Sequence, residues 1–119
     1  MAYVDGFIVP VPKKKRAAYV AMARKACKVW KDHGALDYRE CIADGVKWGK
    51  RTSFPRSVKL KSTETVWFSY IVYKSRKHRD QVMAKVMKDK RLASMMDMKN
   101  LPFDAKRMIF GGFKVVVDL

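Results

Sequence analysis

The sequence predicts an α+β domain with the element order β-α-β-β-α-β and a four-stranded antiparallel sheet, the arrangement called ferredoxin-like. Three observations support this fold class. The chain has 119 residues, which is the usual length of one domain, so a single domain is expected over residues 1–119. Four segments show the alternating or aromatic and β-branched pattern of strands, and two segments show apolar residues at helical spacing. Because 49% of the residues are hydrophobic, the chain can bury one core.

The first strand and the first helix have the clearest patterns. Residues Tyr3–Val11 alternate, and one face of this strand carries Tyr3, Asp5, Phe7, Val9 and Val11. From about Lys13 to His33, apolar residues recur at helical spacing, at Tyr19, Met22, Ala23, Ala26 and Trp30. Gly34 then predicts the end of the helix.

The second strand and the connection that follows it carry polar residues. Residues Leu36–Ile42 alternate, and the inward set includes the charged Glu40, which predicts an edge strand or a pocket. Residues Asp44–Thr63 indicate a long connection with a short helical turn after Pro55. Connections of this length are uncommon and often functional.

The second half of the chain repeats the strand and helix order. Val66–Tyr73 predicts a central strand, and Ser75 is a candidate N-cap for the second helix. The buried stripe of this helix is predicted at Val82, Met83, Val86 and Met87. The last strand is predicted over Arg107–Val117. The glycines Gly111 and Gly112 indicate a bulge or a close backbone approach and not a phosphate loop, because no Lys-Ser/Thr pair follows them.

Large apolar side chains fall on both faces of the predicted sheet. Two helices cover one face only, so a monomer of this size would leave many apolar groups in water. We therefore predict a homodimer in which the two sheets face each other.

The cellular compartment is predicted from the lack of a membrane span or signal peptide in the sequence and from the spacing of its two cysteines. The longest nearly apolar run, Val66–Tyr73, is far shorter than the ~20 residues of a membrane span, and no signal peptide is recognisable, so the cytoplasm is the expected location. Cys27 and Cys41 form no CxxC pair and are expected to be reduced, partly buried thiols.

The charge is extreme: 27 Lys and Arg against 11 Asp and Glu, a net charge of +16. Such a surface is expected to bind nucleic acid or other polyanions non-specifically at low salt, because phosphate contacts release counterions without reading any base. No helix-turn-helix, zinc finger or RNA-recognition signature accompanies it. The polyanion-binding candidates are Lys13, Lys14, Lys15, Arg16, Lys28, Lys50 and Arg51.

No complete catalytic or metal-binding motif is present, and neither a cofactor nor a metal is expected. A ligand pocket between sheet and helices is one hypothesis, with the candidates Asp5, His33, Glu40, Trp67, Tyr70 and Arg107. A structural interpretation competes with it. Asp5 would pair with Arg39, Lys106 or Arg107, His33 would terminate the helix, His78 would be exposed, and Met95–Met98 would provide packing.

Several motifs resemble those of the uncharacterised bacterial YbaA-like proteins. They are YVDGF at 3–7, HGAL at 33–36, TSFP at 52–55 and PFDAKRMIFGGF at 102–113. The resemblance covers essentially the whole chain and implies a dimeric α+β barrel of ferredoxin-like protomers, in a superfamily that also contains small monooxygenases. It implies no reaction. The surface is far more basic than is typical of that family, which either an engineered or a naturally basic surface would explain.

Three functions therefore compete. A dimeric scaffold that binds a small molecule ranks first, and an enzymatic role is left open. The alternatives are a non-specific nucleic-acid or polyanion binder and a cofactor-independent, monooxygenase-like enzyme, the latter by analogy of fold alone.

Overall fold

A computed structural model describes residues 1–95 and 100–119 and confirms the predicted element order. The strands are β1 (Tyr3–Pro12), β2 (Asp37–Ile42), β3 (Glu64–Tyr73) and β4 (Ile109–Lys114). The helices are α1 (Arg16–Asp32), α2 (Phe54–Ser57), α3 (Arg76–Met87) and α4 (Lys90–Met95), and a 3-10 turn, Lys13–Lys15, precedes α1. The sheet has the order β2-β3-β1-β4 with all neighbours antiparallel, which is the ferredoxin-like arrangement.

The core lies between one face of the sheet and the helices α1 and α3. It consists of two neighbouring clusters. The first joins Tyr3, Ile71 and Tyr73 of the sheet to Val29, Val82 and Val86 of the helices. The second joins Val9, Val11 and Trp67 to Tyr19 and Ala23 of α1. The alternation of β1 and β3 therefore places their odd-numbered residues under the helices.

The opposite face of the sheet, which we call the open face, is not covered by α1 or α3, and Phe54 of the short helix α2 contacts it, with its ring centroid 6.5 Å from that of Phe68. Phe68, Ile109 and Phe113 point to this side and are 43%, 45% and 65% exposed. Val4 and Ile8 of β1 lie on the same face, next to Phe113 and Ile109 in the register. The sheet thus presents an apolar surface to solvent, as the residue pattern predicted.

Two prolines in the central strand β1 are compatible with the sheet because β4 begins only at Ile109, opposite Ile8. The pairing of β1 with β4 stops at Ile8 and Ile109, so Pro10 and Pro12 pair only with β3. A proline has no backbone N–H to donate to a neighbouring strand. No strand of the described residues lies beside Pro10 and Pro12 on the side away from β3, so no hydrogen bond of the sheet is lost there.

Helix ends follow the predicted chemistry. Gly34, which follows the cap residue His33 of α1, has φ +111°, a region that favours glycine. The Ser75 side chain accepts a hydrogen bond from the N–H of His78 at 3.0 Å and caps α3, as predicted. Ser53, which was not predicted as a cap, caps α2 by accepting a hydrogen bond from the N–H of Arg56 at 3.3 Å.

Several details of the predicted elements were wrong. Strand β4 is shorter than Arg107–Val117, and its residues pair consecutively with β1 and form no bulge. The close approach is real, because a Cβ on Gly112 would collide with the Tyr3 ring. Met87 is 64% exposed and does not belong to the buried stripe of α3.

Other expectations concern α4 and the methionines beside it. Helix α4 was not predicted, because its six residues are too few for a periodic pattern. Met95, at its end, packs against the first core cluster. The rest of the predicted packing run, 96–98, lies outside the described residues.

No helix within the described ranges is long and apolar enough to cross a bilayer.

Candidate functional site

A pocket of about 380 Å³ opens between α1 and the edge of the sheet formed by β2 and β3. We call it the Glu40 pocket. Helix α1 and the strands contribute its lining, which consists of Val20, Ala23, Arg24, Cys27, Tyr38, Glu40, Ile42 and Trp67. Its volume lies at the lower end of the ~300–1,000 Å³ typical of small-molecule sites.

Local sequence patterns direct these side chains into one space. In β2, Tyr38, Glu40 and Ile42 alternate with outward residues and therefore share the face that looks toward α1. In α1, Val20, Arg24 and Cys27 are spaced by four and three residues and form one stripe. The row of side chains on α1 thus faces the row of side chains on β2 across the pocket.

The central polar group is the Glu40 carboxylate. Its Oε1 accepts a hydrogen bond from the Tyr19 hydroxyl at 2.7 Å, and its Oε2 accepts one from the Tyr38 hydroxyl at 3.1 Å. Burial raises the pKa of Glu40 above its ordinary value, while the two hydrogen bonds act in the opposite direction. No ion pair among residues 1–95 and 100–119 involves Glu40.

The hydroxyl groups of Tyr19 and Tyr38 remain protonated and therefore always act as hydrogen-bond donors to Glu40. Burial, and then the negative charge of Glu40, raise the pKa of Tyr19 and that of Tyr38 well above the usual tyrosine value. Both phenols therefore keep their protons throughout the physiological range. Tyr19 is itself fixed by ring contacts to Trp67, with centroids 4.9 Å apart, and to Phe103 at 5.9 Å.

The six predicted pocket residues do not form one site. Glu40 and Trp67 lie together in the Glu40 pocket. Tyr70 is on the open face of the sheet, next to Phe68 with ring centroids 6.0 Å apart. The other three predicted residues, Asp5, His33 and Arg107, each belong to a separate ion-pair cluster.

Asp5 is buried, with 7% of the residue exposed, and is neutralised by Arg79 of α3 at 3.2 Å. The predicted partners Arg39, Lys106 and Arg107 were wrong. Burial raises the pKa of Asp5, and the Arg79 guanidinium opposes this shift. Arg79 also stacks on the Tyr3 ring at 5.1 Å, so the pair is held by packing as well as by charge.

His33 and Arg107 have structural partners. His33 is the C-terminal cap residue of α1, and its Nε2 lies 2.7 Å from Asp89 Oδ2. Hydrogen bonds from Arg91 and then His33 hold the pKa of Asp89 well below its usual range. Arg107 donates to Asp104 at 2.7 Å, to Glu64 and to the Val58 and Lys59 carbonyls at 3.1 and 3.0 Å.

The remaining histidine and the cysteines also occupy definite places. His78 is half-buried, not exposed as predicted, because its Nδ1 accepts a hydrogen bond from the Lys74 N–H at 3.0 Å and its ring contacts Tyr73. Cys27 is half-buried in the Glu40 pocket, as predicted, whereas Cys41 is exposed, and the prediction for this second thiol was wrong. No group of three or more His, Cys, Asp or Glu residues suited to a metal ion occurs in the described part of the chain.

Among the polar residues that line or support the Glu40 pocket, sequence reasoning missed Tyr19, Arg24, Cys27 and Tyr38. A signal for Tyr38 existed, because it shares a strand face with Glu40 two residues on. Tyr19 was assigned to the apolar stripe of the first helix, and a periodic pattern does not reveal that its hydroxyl points at a carboxylate.

The predicted polyanion-binding residues separate into three groups. Lys13, Lys14, Lys15 and Arg16 lie together at the start of α1 and are all exposed. Lys28 lies near the other end of α1, 3.6 Å from Asp32, and Lys50 and Arg51 lie in the connection before α2. Four of the seven predicted residues therefore lie together at the start of α1, and the other three lie at two other places in the chain.

Comparisons with known proteins identify the family and the fold. Residues 2–105 match the profile of a family described as "Protein of unknown function (DUF1428)". The chain is 46% identical over 118 residues to "Uncharacterized protein YbaA" of Escherichia coli K12, with 99% of each chain covered.

Solved structures share the fold at low sequence identity. A dimeric ferredoxin-like protein from an uncultured marine organism has a TM-score of 0.62 at 10% identity, covering 99% of this chain and 98% of its own. A variant of SnoaB, a cofactor-independent oxygenase from Streptomyces nogalater, has a TM-score of 0.61 at 7% identity, covering 99% and 96%. The match to the family profile and the full-length identity agree with the motifs in the sequence, and the chain belongs to the DUF1428 family of proteins of unknown function.

Proposed function

We propose that this protein is a homodimer that binds a small molecule in the Glu40 pocket. One observation carries the proposal: a desolvated carboxylate, oriented by two tyrosine hydroxyls, lines a cavity of ligand size. A carboxylate offers about four acceptor sites, and the tyrosines use two of them. The remaining lone pairs suit a hydroxyl or amine donor on the ligand.

The apolar lining supports the same proposal. Val20, Ala23, Ile42 and Trp67 surround the carboxylate, and a small number of polar groups within an apolar wall is typical of ligand sites. Tyr19 and Tyr38 hold Glu40 in one orientation, so the acceptor is preorganised before the ligand arrives.

The test uses the indole N–H signals of the three tryptophans in a nitrogen-15 NMR spectrum, assigned with Trp→Phe variants, during titration with a library of small organic fragments. Pocket ligands should shift the signal of Trp67 and leave that of Trp48, which is 53% exposed in the connection before α2, unchanged. Glu40→Gln should weaken fragments that carry a donor. A library that never shifts the Trp67 signal would overturn the proposal.

The homodimer is supported by the open face. The marine neighbour is described as dimeric, and here Phe68, Ile109 and Phe113 leave an apolar surface that a second copy would cover. We expect Phe113→Asp to convert a dimer to a monomer in analytical ultracentrifugation. Met87→Asp, at a similarly exposed apolar position in the helical layer, should leave the mass unchanged. A wild-type protein that sediments as a monomer at micromolar concentration would contradict this part of the proposal.

A second candidate function is proton-transfer chemistry at Glu40. The specific observation is its raised pKa, since a desolvated carboxylate is a stronger base than one in water. SnoaB is described as a cofactor-independent oxygenase, which makes oxygen uptake in the presence of a bound fragment the reaction to measure. Uptake that Glu40→Gln abolishes while the fragment still binds would support catalysis, and absence of uptake would leave binding alone.

A further candidate is non-specific polyanion binding by the basic cluster at the start of α1. Exchange of Lys13, Lys14, Lys15 and Arg16 for Ala should weaken binding of labelled oligonucleotides of any sequence. The slope of log K against log salt should fall by about 0.9 for each phosphate that the variant no longer neutralises. Exchange of Lys50 and Arg51 serves as a control away from this cluster. Equal weakening in both variants would show that the whole basic surface is responsible.

A further inference from the structure

Three cations that form no ion pair within the described part of the chain line the Glu40 pocket or the cavity beside it. Arg24 lines the pocket itself, and Lys13 and Arg16 line a neighbouring cavity of about 250 Å³. Their charge is therefore available to a bound group.

The two cavities are adjacent and share part of their walls. Ile42 and Trp67 line both the Glu40 pocket and the cavity that contains Lys13 and Arg16. Val20 and Arg24 line both the Glu40 pocket and an outer basin that Lys13, Arg16 and Lys25 also reach. A ligand in the Glu40 pocket would thus have basic side chains at its outer end.

The geometry of α1 places these groups in a row. Arg16, Val20 and Arg24 are four residues apart, so they follow one another along a single helix face. Each step rises about 6 Å along the axis. The row therefore presents a cation, an apolar side chain and a second cation beside the cavities.

The charges around this row are of one sign, except at one point. Lys14 and Lys25 add to the basic wall of the outer basin, and Glu40 is the single acid among the described residues that line these three cavities. Charges of one sign around a cleft raise the local concentration of counterions. A donor group is favoured at Glu40 and an anionic group at the rim.

Building on the proposed binding function, we infer that the ligand of the Glu40 pocket is a small organic acid with an apolar body and a hydroxyl group. The hydroxyl donates to Glu40, the body lies against Val20, Ile42 and Trp67, and the carboxylate meets Arg24 or Arg16 at the rim. The combination of an acceptor inside and cations outside selects against amines, whose charge the rim repels.

The test compares three probes of one shape: 4-hydroxyphenylacetate, 2-(4-hydroxyphenyl)ethanol and tyramine, which carry an anionic, a neutral and a cationic end. Titrations follow the Trp67 indole signal at 0.05 M and 0.5 M salt. The anionic probe should bind best and tyramine worst. The advantage of the anion should shrink at the higher salt, because ions screen the rim charges.

Variants of the rim cations identify which side chain causes the preference for the anionic probe. Arg24→Gln should weaken the anionic probe about two- to fivefold, the range of one exposed ion pair, and leave the neutral probe unchanged. Lys28→Gln is the matched control, since Lys28 lies four residues further along α1 and outside the cavities, beside Asp32. Arg16→Gln tests the outer position in the same way.

The outcomes separate this inference from the proposal beneath it. A neutral probe that binds as well as the anionic one would overturn the inference and keep the pocket as a binding site. Library fragments that shift the Trp67 signal while none of the three probes does would have the same meaning. Absence of any shift with either set would remove both.

Discussion

Two regions of the helix-covered face each contain a desolvated carboxylate, and they differ in what surrounds it. At Asp5 the side chain is 10% exposed and meets the Arg79 guanidinium at 3.2 Å. At Glu40 two neutral hydroxyls hold the carboxylate at the wall of an open pocket. Burial raises the pKa of both acids. The groups around each carboxylate, and not the residue type, decide whether it forms a structural ion pair or remains available to a ligand.

The position of each strand in the sheet explains the difference. Strand β1 is central, with β3 and β4 on either side, and α3 supplies the arginine that reaches Asp5. Strand β2 is at the edge, so the space between it and α1 opens to solvent. A polar side chain in an edge strand can face a cavity, whereas the same side chain in a central strand must find a partner in the protein.

The largest effect is expected from breaking the Asp5 pair. Arg79→Met leaves a buried carboxylate without a cation and should cost about 2–3 kcal/mol of unfolding free energy, below the full value for buried pairs because Arg79 is partly exposed. Urea denaturation at pH 7 measures it. Arg39→Met, which removes the exposed pair with Asp37, is the control and should change the stability by less than about 1 kcal/mol. Equal losses of stability in the two variants would show that the Asp5–Arg79 ion pair contributes no more to stability than the exposed Asp37–Arg39 pair.

A smaller effect is expected from the tyrosines of the Glu40 pocket. Tyr19→Phe removes one hydrogen bond to a charged group and should cost about 1–2 kcal/mol. The loss should be smaller when Glu40 is already Gln, because the two groups interact directly, and a double-mutant cycle measures the difference. Tyr70→Phe, on the open face, serves as the comparison. Strict additivity in the cycle would contradict the hydrogen bond at 2.7 Å.

The smallest effect is a pH dependence that has opposite signs at two glutamates. Glu40 has a raised folded-state pKa, so the folded protein retains that proton longer, and this group lowers stability as the pH rises above its ordinary value of about 4.5. Glu64, held by Arg107, has a lowered pKa, so its contribution is present above about 4.5 and is lost as the pH falls through the folded-state pKa.

Denaturation of wild type, Glu40→Gln and Glu64→Gln between pH 4 and pH 7 checks the two signs. Glu40→Gln should gain stability relative to wild type as the pH rises, and Glu64→Gln should lose it. Curves that move in the same direction for both variants would contradict the contrast between a solvent-facing pocket and an ion-pair cluster.

Most of the fold was predictable from the sequence, whereas the site was predictable only in part. The alternation at Tyr3–Val11 and the periodicity of the first helix identified β1 and α1, since local patterns reflect one buried face. Helix α4 was not predicted, because its six residues complete fewer than two turns. Of the predicted pocket candidates, Glu40 and Trp67 line the same pocket, whereas Asp5, His33 and Arg107 each have a partner elsewhere that the sequence does not reveal.

The sequence by itself determined the element order, the apolar open face and the excess of cations, because each depends on composition and short-range spacing. Only the tertiary structure decided which charges pair. Arg79 reaches Asp5 across 74 residues, and the Tyr19 hydroxyl reaches Glu40 across 21. Such contacts depend on how α1 and α3 pack against the sheet, and packing is set by the whole core at once. A pocket at the edge strand therefore becomes visible only when helix and strand are placed side by side.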